Sequence, residues 1–209
     1  MELLIATSNP HKVQEIKQVL EPCGIVTFSL DSLDGSFKEP IENASTFRGN
    51  AKIKAVGYAK ATGRRCIADD SGLSVDALGG EPGVYSARFA GIGENREERD
   101  KANNELLLKK MKGVPKAKRS ARFVCAMCVA DPDGSIIVES TGLLEGFIAT
   151  SPSGTNGFGY DSLLFIPEVN KTSAELEADE KNAISHRGEA VRHIASYFSI
   201  ADHLVIDQN

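Results

Sequence analysis

Apolar residues near the N-terminus fall into a short run and then into helical spacing. Leu3–Ile5 form the short run, which predicts a buried strand. The apolar residues that follow are spaced as on one face of a helix, at Val13, Ile16, Val19 and Leu20. A strand that opens the chain and leads into a helix is typical of an α/β fold.

The same pattern continues as far as Asp70. Ile25–Phe28 predict a second strand, and Ser45 is suited to cap a helix that ends at Gly63. Cys66–Asp70 predict a third short strand. Because Asp-Ser-Gly is a common turn sequence, we expect the chain to turn directly after Asp70.

The second half of the chain changes from helical to strand periodicity. Asn95–Lys112 predict a charged amphipathic helix, whereas Arg119–Ile148 alternate with period two and predict a hairpin that turns at residues 131–134. Three later elements are expected: a strand at Leu163–Ile166, a short helix or turn around Ala174–Glu177, and a closing helix at His186–Phe198. We find neither a repeat nor a linker, and so expect one two-lobed domain over residues 1–209.

Composition narrows the class of protein. The chain is 41% hydrophobic and 25% charged, which is typical of a globular protein. The formal net charge of -5 argues against a dedicated nucleic-acid binder, which needs a basic surface. We see neither a targeting leader nor an apolar run long enough to span a membrane, so we expect a soluble, cytoplasmic protein.

The four cysteines include one Cys-x-x-Cys pair, Cys125 and Cys128. Residues three apart on a strand face opposite sides, which disfavours a shared metal. We interpret all four cysteines as buried or inert thiols of a reducing compartment, and regard a thioredoxin-like redox pair as the weaker alternative.

Two loops that follow strands carry residues suited to phosphate and metal. Thr7–Lys12 (TSNPHK) place small polar residues and a lysine at the start of a helix, which suits a phosphate, although an ordinary N-cap with an exposed lysine explains the spacing equally well. Asp69 and Asp70 end a predicted strand, where one carboxylate could hold Mg²⁺. The adjacent acids point different ways, so at most one is expected to do the chemistry.

Two further segments carry residues suited to a base. Ser153–Phe165 are rich in glycine, and Phe158 or Tyr160 could stack on a planar base. The alternative is a flexible loop whose two aromatic rings dock into the core. Glu180–Ala190 carry three donors near a helix start, Lys181, His186 and Arg187, for which a solvated helix cap is the alternative.

Four motifs, in this order and spacing, resemble the inosine/xanthosine triphosphate pyrophosphatase family: ATSNPHKVQEI, IADDSGLSVDALGGEPGVYSARFAG, GFGYDSLLF and EKNAISHRGEA. The resemblance implies a mixed twisted central sheet flanked by helices, with the active site in a cleft between two lobes. It also implies Mg²⁺-dependent hydrolysis of ITP, dITP and XTP to the monophosphate and pyrophosphate by a homodimer that cleans the nucleotide pool.

The resemblance further implies roles for individual residues. Asp70 corresponds to the catalytic proton acceptor, and Glu42 and Asp70 to the magnesium ligands. Arg88 corresponds, more weakly, to a further phosphate contact. The implied substrate-binding residues are Thr7, Ser8, Asn9, Pro10, His11 and Lys12 for the triphosphate, Ser71, then Phe158, Gly159, Tyr160 and Asp161 for the nucleoside, and Lys181, His186 and Arg187 for the base.

The sequence departs from the family pattern at three positions. Gly49 replaces an acid of the long helix, which weakens any metal or water role for that turn and costs the helix about 1 kcal/mol. Asn156 replaces a glycine of the later loop, and Ser162 replaces a proline. Asparagine tolerates left-handed backbone, so the loop path is expected to survive, with its rigidity in question.

These residues support a mechanism hypothesis. A water polarised by Asp70 attacks the α-phosphorus, while Lys12 and nearby N–H groups hold the phosphate chain. Lys181 or Arg187 can donate to the oxygen at position 6 of hypoxanthine or xanthine, whereas adenine presents an amino group there. Two other functions stay open: a non-catalytic nucleotide sensor and a magnesium-dependent phosphomonoesterase.

Overall fold

The structure, a computed structural model, describes residues 1–206. The strands of this range are β1 (Glu2–Ile5), β2 (Val26–Ser29), β3 (Cys66–Val75), β4 (Ser120–Ala130), β5 (Ile136–Ile148), β6 (Leu164–Ile166) and β7 (Lys171–Thr172). Its α-helices are α1 (Pro10–Leu20), α2 (Phe47–Thr62), α3 (Arg96–Lys110), α4 (Ala178–Ile184) and α5 (His186–Ile206). None of the helices described is both long and apolar enough to cross a membrane.

Within residues 1–206, all seven strands belong to one mixed sheet in the order β2-β1-β3-β4-β5-β6-β7. β1 pairs in parallel with β2 and with β3, where Leu4 lies opposite Cys66. The later pairs β5–β6 and β6–β7 are antiparallel. The predicted α/β fold with a mixed central sheet and flanking helices is therefore confirmed.

The chain divides into two compact units. Unit 1 comprises residues 1–70, 125–142 and 185–209, and unit 2 comprises residues 71–124 and 143–184. Three of the four boundaries fall within long strands, because β3, β4 and β5 each contribute residues to both units, and the fourth lies between α4 and α5. The single domain expected over 1–209 stays a prediction.

Unit 1 has apolar clusters on both faces of its strands. Leu3 and Ile5 of β1 pack with residues of α1 and α5, while Leu4 between them packs with residues of α2. The same alternation places Cys125 in the first cluster and Cys128 in the second, as expected for strand residues three apart. All four cysteines are free thiols, of which Cys66, Cys125 and Cys128 are buried and Cys23 is exposed.

Unit 2 builds its core around α3. Leu107 of this helix and Met111, which caps its C-terminus, are fully buried, as is Leu73 of β3. Tyr160 of the glycine-rich segment is buried in the same cluster. Arg119 is also buried, and its guanidinium donates to the carbonyl oxygens of Met111 and Ile148. These contacts fix the C-terminal end of α3 against the core of its unit.

Most predicted elements are present, with shifted ends. The hairpin turn at residues 131–134 is confirmed by the bond from Gly134 N to Asp131 O, 2.8 Å long. The predicted turn after Asp70 is wrong, because β3 continues to Val75. Thr46, not Ser45, caps α2, and α4 was not predicted.

The strand continues past Asp70 because of a tertiary contact. Gly72 lies where any β-carbon would clash with the side chain of Ser86. The Ser86 hydroxyl instead accepts a hydrogen bond from Leu73 N at 2.9 Å. Gly72 thus serves close packing within a strand, not a turn.

Candidate functional site

The predicted phosphate loop forms the N-terminus of α1. Asn9 is the N-cap, its Oδ1 accepts from His11 N at 3.1 Å, and Pro10 occupies the first helical turn. Thr7 Oγ1 in turn accepts from Asn9 N, while Ser8 is exposed. The predicted N-cap is therefore confirmed, but the exposed lysine of that interpretation is not, because the Lys12 side chain is only 14% exposed. The cap leaves one donor unused, since Asn9 Nδ2 is buried without a protein partner. A buried orphan amide donor beside a positive helix end suits an anionic ligand.

Asp69 is the centre of a buried ion-pair network. Its Oδ2 lies 2.8 Å from Lys12 Nζ and 3.3 Å from a terminal nitrogen of Arg187. Arg187 also forms an ion pair with Glu15 of α1. We call these four residues the Asp69 network.

The surroundings keep Asp69 ionised. Burial alone would raise the pKa of this carboxyl, but the charges of Lys12, Arg187 and Lys54 hold it well below its usual range. Asp69 Oδ1 is buried without a hydrogen-bond partner, so the other oxygen makes the bonds of the network. The carboxylate therefore fixes the lysine of the phosphate loop.

Asp70 belongs to a different network on the other face of β3. Lys54 of α2 places its Nζ 3.1 Å from Glu42 Oε1 and 3.6 Å from Asp70 Oδ1. Asn50, one turn earlier on α2, donates to Asp70 Oδ2 at 3.0 Å. We call these four residues the Asp70 network.

Burial shifts the titration of this second network. It raises the pKa of Asp70, and Lys54 and the Asn50 bond oppose it only in part. Burial acts on Lys54 to lower its pKa, but Asp69, Asp70 and Glu42 together raise it. Lys54 is therefore a fixed cation between two predicted magnesium ligands.

Asn50 also ties the loop of Glu42 to the start of α2. Its Oδ1 accepts from Ala44 N at 2.9 Å, two residues after Glu42. Gly49 permits this approach, since a β-carbon there would lie 2.5 Å from Ala44 Cβ. The amide of Asn50 thus connects the segment that carries Glu42 with the carboxylate of Asp70.

The Asp70 network fits a magnesium ion. Mg²⁺ takes one or two carboxylates and completes its shell with waters and substrate phosphates. Glu42 and Asp70 both contact one ammonium nitrogen, and their side chains are 24% and 11% exposed, so a ligand can reach them. Across the two networks, three cations meet four carboxylates, which leaves a formal excess of negative charge for a divalent cation. No group of three or more potential ligands occurs in the part of the chain described, so the chain alone offers an incomplete shell.

In unit 2, Asp161 organises the glycine-rich segment. It accepts from Phe158 N at 2.8 Å, from Ser173 Oγ at 2.9 Å and from Lys181 Nζ at 2.7 Å. Asp161 and Lys181 are both buried, and a β-carbon at Gly157 would clash with the Asp161 carboxylate. The glycine at 157 is therefore required by close packing on a charged pair.

The Phe158 ring lies against two cations. Lys181 Nζ is 5.2 Å and the Arg96 guanidinium 5.4 Å from the ring centroid. Tyr160 instead docks into the core of unit 2, where its hydroxyl donates to Ser86 O at 2.9 Å. Of the two aromatic side chains, Phe158 is thus the one placed to stack on a ligand.

The substituted loop positions have structural roles. Asn156 anchors the loop through Nδ2, which donates to Leu176 O at 3.0 Å. Asn156 does not use the left-handed backbone that asparagine tolerates, because Asn170 is the non-glycine residue with positive φ among those described. Ser162 lies nearby, and its carbonyl accepts from Ser153 N at 3.0 Å.

The remaining predicted residues are divided between the units. Ser71 follows Asp70 in β3, is half-buried and belongs to unit 2. His186 and Arg187 begin α5 in unit 1 and are 6% and 1% exposed. Arg88 is exposed and lies over the ring of Tyr85. The direct roles assigned to these residues stay predictions.

Sequence reasoning missed Lys54 and Asn50. Both lie on the face of α2 that carries the buried Ala51, Ala55 and Tyr58, so two polar residues occupy an otherwise apolar stripe. Their spacing of four places them one above the other on the helix. Polar residues at that position were the available signal for a buried site.

Comparisons with known proteins find one matching family and several similar relatives. Residues 3–197 match the model of the Ham1 family. A dITP/XTP pyrophosphatase of an Exiguobacterium species is 51% identical over 195 residues, covering 93% of this chain and 95% of the relative. That of Bacillus subtilis is 47% identical over 194 residues, covering 93% and 95%. The solved structure of the Staphylococcus aureus Ham1 protein is 37% identical with a TM-score of 0.82, covering 95% of this chain and 98% of that one.

Proposed function

Because this chain belongs to the Ham1 family, we propose that it is a nucleoside triphosphate pyrophosphatase that hydrolyses dITP, ITP and XTP to the monophosphate and pyrophosphate. The relatives named dITP/XTP pyrophosphatase support this choice. The observation that carries it is the pair of carboxylates, Glu42 and Asp70, on one buried lysine. A pure nucleotide sensor has no need of a carboxylate that activates water.

The phosphate loop binds the triphosphate in this proposal. Asn9 Nδ2 supplies a donor that is buried without a protein partner, and the N-terminus of α1 supplies a positive dipole end. Lys12 adds a cation whose position is set by Asp69. The residues Thr7, Ser8, Pro10 and His11 shape the same loop.

Glu42 and Asp70 hold Mg²⁺ in this proposal. The bound ion would neutralise phosphate charge and polarise the scissile P–O bond. The ammonium group of Lys54 lies between the two carboxylates and contacts both, and Asn50 orients Asp70 through its hydrogen bond. Such supporting residues commonly affect metal affinity or activity by about 10–100-fold.

Asp70 acts as the proton acceptor. The oxygen of a water attacks the α-phosphorus, the bond from that phosphorus to the α,β-bridging oxygen breaks, and the water proton passes to the carboxylate. Pyrophosphate departs with the bridging oxygen, and the nucleoside keeps one phosphate. Lys12 and the N–H groups of the loop stabilise the charge that develops on the phosphate oxygens.

The residues of unit 2 receive the nucleoside. Phe158 stacks on the purine, and Asp161, at the end of the segment from Gly159, holds the backbone N–H of Phe158. Lys181 recognises the base, and Ser71 contacts the substrate. His186 and Arg187, which belong to unit 1, keep the base contacts that the family resemblance implies. A donor directed at the oxygen of purine position 6 would favour hypoxanthine and xanthine over adenine.

One assay distinguishes this function from its two alternatives. The protein is incubated with ITP, dITP, XTP, GTP or ATP in the presence of Mg²⁺, and the phosphate product is identified. Pyrophosphate from ITP, dITP or XTP is expected. Orthophosphate alone would indicate the phosphomonoesterase, and bound but uncleaved nucleotide would indicate the sensor.

Two variants test the carboxylate. Asp70→Asn should reduce turnover by several orders of magnitude while the thermal unfolding midpoint is retained. Asp34→Asn makes the same chemical change at an exposed position of unit 1 and should leave turnover unaltered. Near-normal turnover by Asp70→Asn would remove this residue as the proton acceptor.

We also propose a cytoplasmic homodimer. The four free thiols accord with a reducing compartment, and the dimer rests on the resemblance to the family alone. Light scattering after gel filtration should give twice the chain mass of 22.4 kDa. A mass of one chain would contradict the dimer without affecting the proposed reaction.

A further inference from the structure

We propose that α3 carries two positioning residues, Asp100 and Asn104, that fix the Phe158 loop and so determine the affinity for the purine base. This inference rests on the proposed function, in which Phe158 stacks on the nucleoside. No motif of the sequence pointed to these residues. Their side chains are spaced by one helical turn, so they lie on the same face of α3.

Both backbone groups of Gly159 are bound by this helix face. Gly159 N donates to Asp100 Oδ2 at 2.9 Å, and its carbonyl oxygen accepts from Asn104 Nδ2, also at 2.9 Å. Gly159 has a φ of 61°, a left-handed conformation that glycine adopts readily and that a residue with a β-carbon would adopt only with strain. The two bonds therefore hold the peptide groups on either side of the glycine in one orientation.

The Phe158 backbone is fixed from its other side by Asp161, which accepts from Phe158 N. Arg96, one turn before Asp100 on α3, places its guanidinium over the Phe158 ring. The backbone is thus bound at residues 158 and 159 by three side chains, and the ring contacts the same helix. A stacking ring held in one orientation loses less conformational entropy when a base binds.

α3 is a rigid support for this loop. Leu107 and Met111 are fully buried in the core of unit 2. Asn103 is also buried, its Oδ1 accepting from Ala90 N at 2.8 Å and its Nδ2 donating to Ser86 O at 3.2 Å. Asp100 and Asn104 therefore transmit the position of a fixed helix to Gly159.

The two side chains differ in the chemistry that each position tolerates. Asp100 accepts a hydrogen bond, and an asparagine there could accept the same bond through its amide oxygen. Asn104 donates to a carbonyl, and its Oδ1 is buried without a partner. An aspartate at 104 could only present an acceptor to the Gly159 carbonyl, so the conservative change at this position should fail.

The test compares binding of the two products. Dissociation constants of IMP and of pyrophosphate are measured by calorimetry in the presence of Mg²⁺, alongside KM and kcat for ITP. Asp100→Ala, Asn104→Ala and Asn104→Asp should each weaken IMP about tenfold, equivalent to about 1.4 kcal/mol. Asp100→Asn should stay within about twofold of the unaltered protein, and pyrophosphate binding should change little in every variant.

A matched control lies on the same helix. Glu105→Ala alters an exposed neighbour of Asn104 and should leave both dissociation constants unchanged. Thermal unfolding of each variant separates loss of the fold from loss of the loop. The inference is overturned when Asn104→Asp binds IMP normally, when Asp100→Asn is as weak as Asp100→Ala, or when pyrophosphate weakens as much as IMP.

The two proposals can fail separately. A wild-type protein that releases no pyrophosphate from ITP contradicts the proposed function. Calorimetry does not need turnover, so the pattern of IMP affinities still decides the role of α3. Normal hydrolysis with unaltered IMP affinity in all four variants contradicts this inference alone.

Discussion

The neighbours Asp69 and Asp70 should respond to the same substitution in opposite ways. They are adjacent in β3, so their side chains leave opposite faces of the strand. Asp69 meets Lys12 and Arg187, whereas Asp70 meets Lys54 and Asn50. Asp69→Asn and Asp70→Asn each remove one negative charge and keep the shape, so they isolate the electrostatic role of each carboxylate.

Asp69→Asn should lower the free energy of unfolding by about 3–5 kcal/mol, the cost of breaking a buried ion pair from one side. The Asp69 side chain is inaccessible, Arg187 is 2% exposed and Lys12 14%, so water cannot replace the lost charge. Asp70→Asn should be neutral or stabilising. Burial raises the pKa of Asp70 in the folded state above its value in the unfolded state. At neutral pH the ionised carboxylate therefore favours the unfolded state, and its replacement by a neutral amide removes this cost.

The assays are urea unfolding at neutral pH and ITP turnover with saturating Mg²⁺. Asp69→Asn should lose stability and keep measurable turnover, while Asp70→Asn should keep its stability and lose turnover. Lys12 would be less well fixed in the Asp69→Asn variant, so the KM of this variant for ITP should rise. Equal loss of stability in the two variants, or greater loss of kcat in Asp69→Asn, would refute the division of roles.

Four further substitutions or treatments test single contacts. Asn50→Ala removes two hydrogen bonds of a buried side chain and should cost about 2–3 kcal/mol of unfolding free energy. Asn43→Ala in the exposed loop should cost under about 0.5 kcal/mol. Equal losses would contradict the connection of Asn50 with both Ala44 and Asp70. Lys54→Met leaves two carboxylates together, so urea stability should fall without Mg²⁺ and recover on its addition more than in the unaltered protein. Gly49→Ala gains about 1 kcal/mol in helix propensity, yet should destabilise because its β-carbon would lie 2.5 Å from Ala44 Cβ; a gain in stability would contradict this. A thiol reagent should modify the exposed Cys23 rapidly and the three buried cysteines only on unfolding. Burial raises the pKa values of these three thiols to about 11 or 12, so they are protonated and unreactive at neutral pH. Prompt labelling of the folded Cys23→Ser variant would contradict this expectation.

The fold could be predicted where local pattern and tertiary packing agree. The apolar spacing of α1 and the turn at residues 131–134 depend on neighbours close in sequence, and both were predicted. The continuation of β3 could not be predicted in this way. It depends on Ser86, which lies 14 residues after Gly72 in the chain but packs directly against it. The tripeptide Asp70-Ser71-Gly72 is common in turns, but it also occurs in a strand where the glycine is needed for close packing.

The candidate site was predictable to the extent that its residues stand in motifs. Loop motifs identified Asn9, Lys12 and Asp70. Lys54 and Asn50 lie on α2, whose apolar spacing predicts only an ordinary helix and no site. Their importance follows from where β3 directs its side chains: one face of the strand meets α1 and α5, and the other meets α2. Two adjacent acids consequently acquire separate partners, and Asp70, which shares one lysine with Glu42, is the acid that we propose for the metal and the water. The alternation of a single strand thus converts a repeated residue into a structural anchor and a proposed catalytic base.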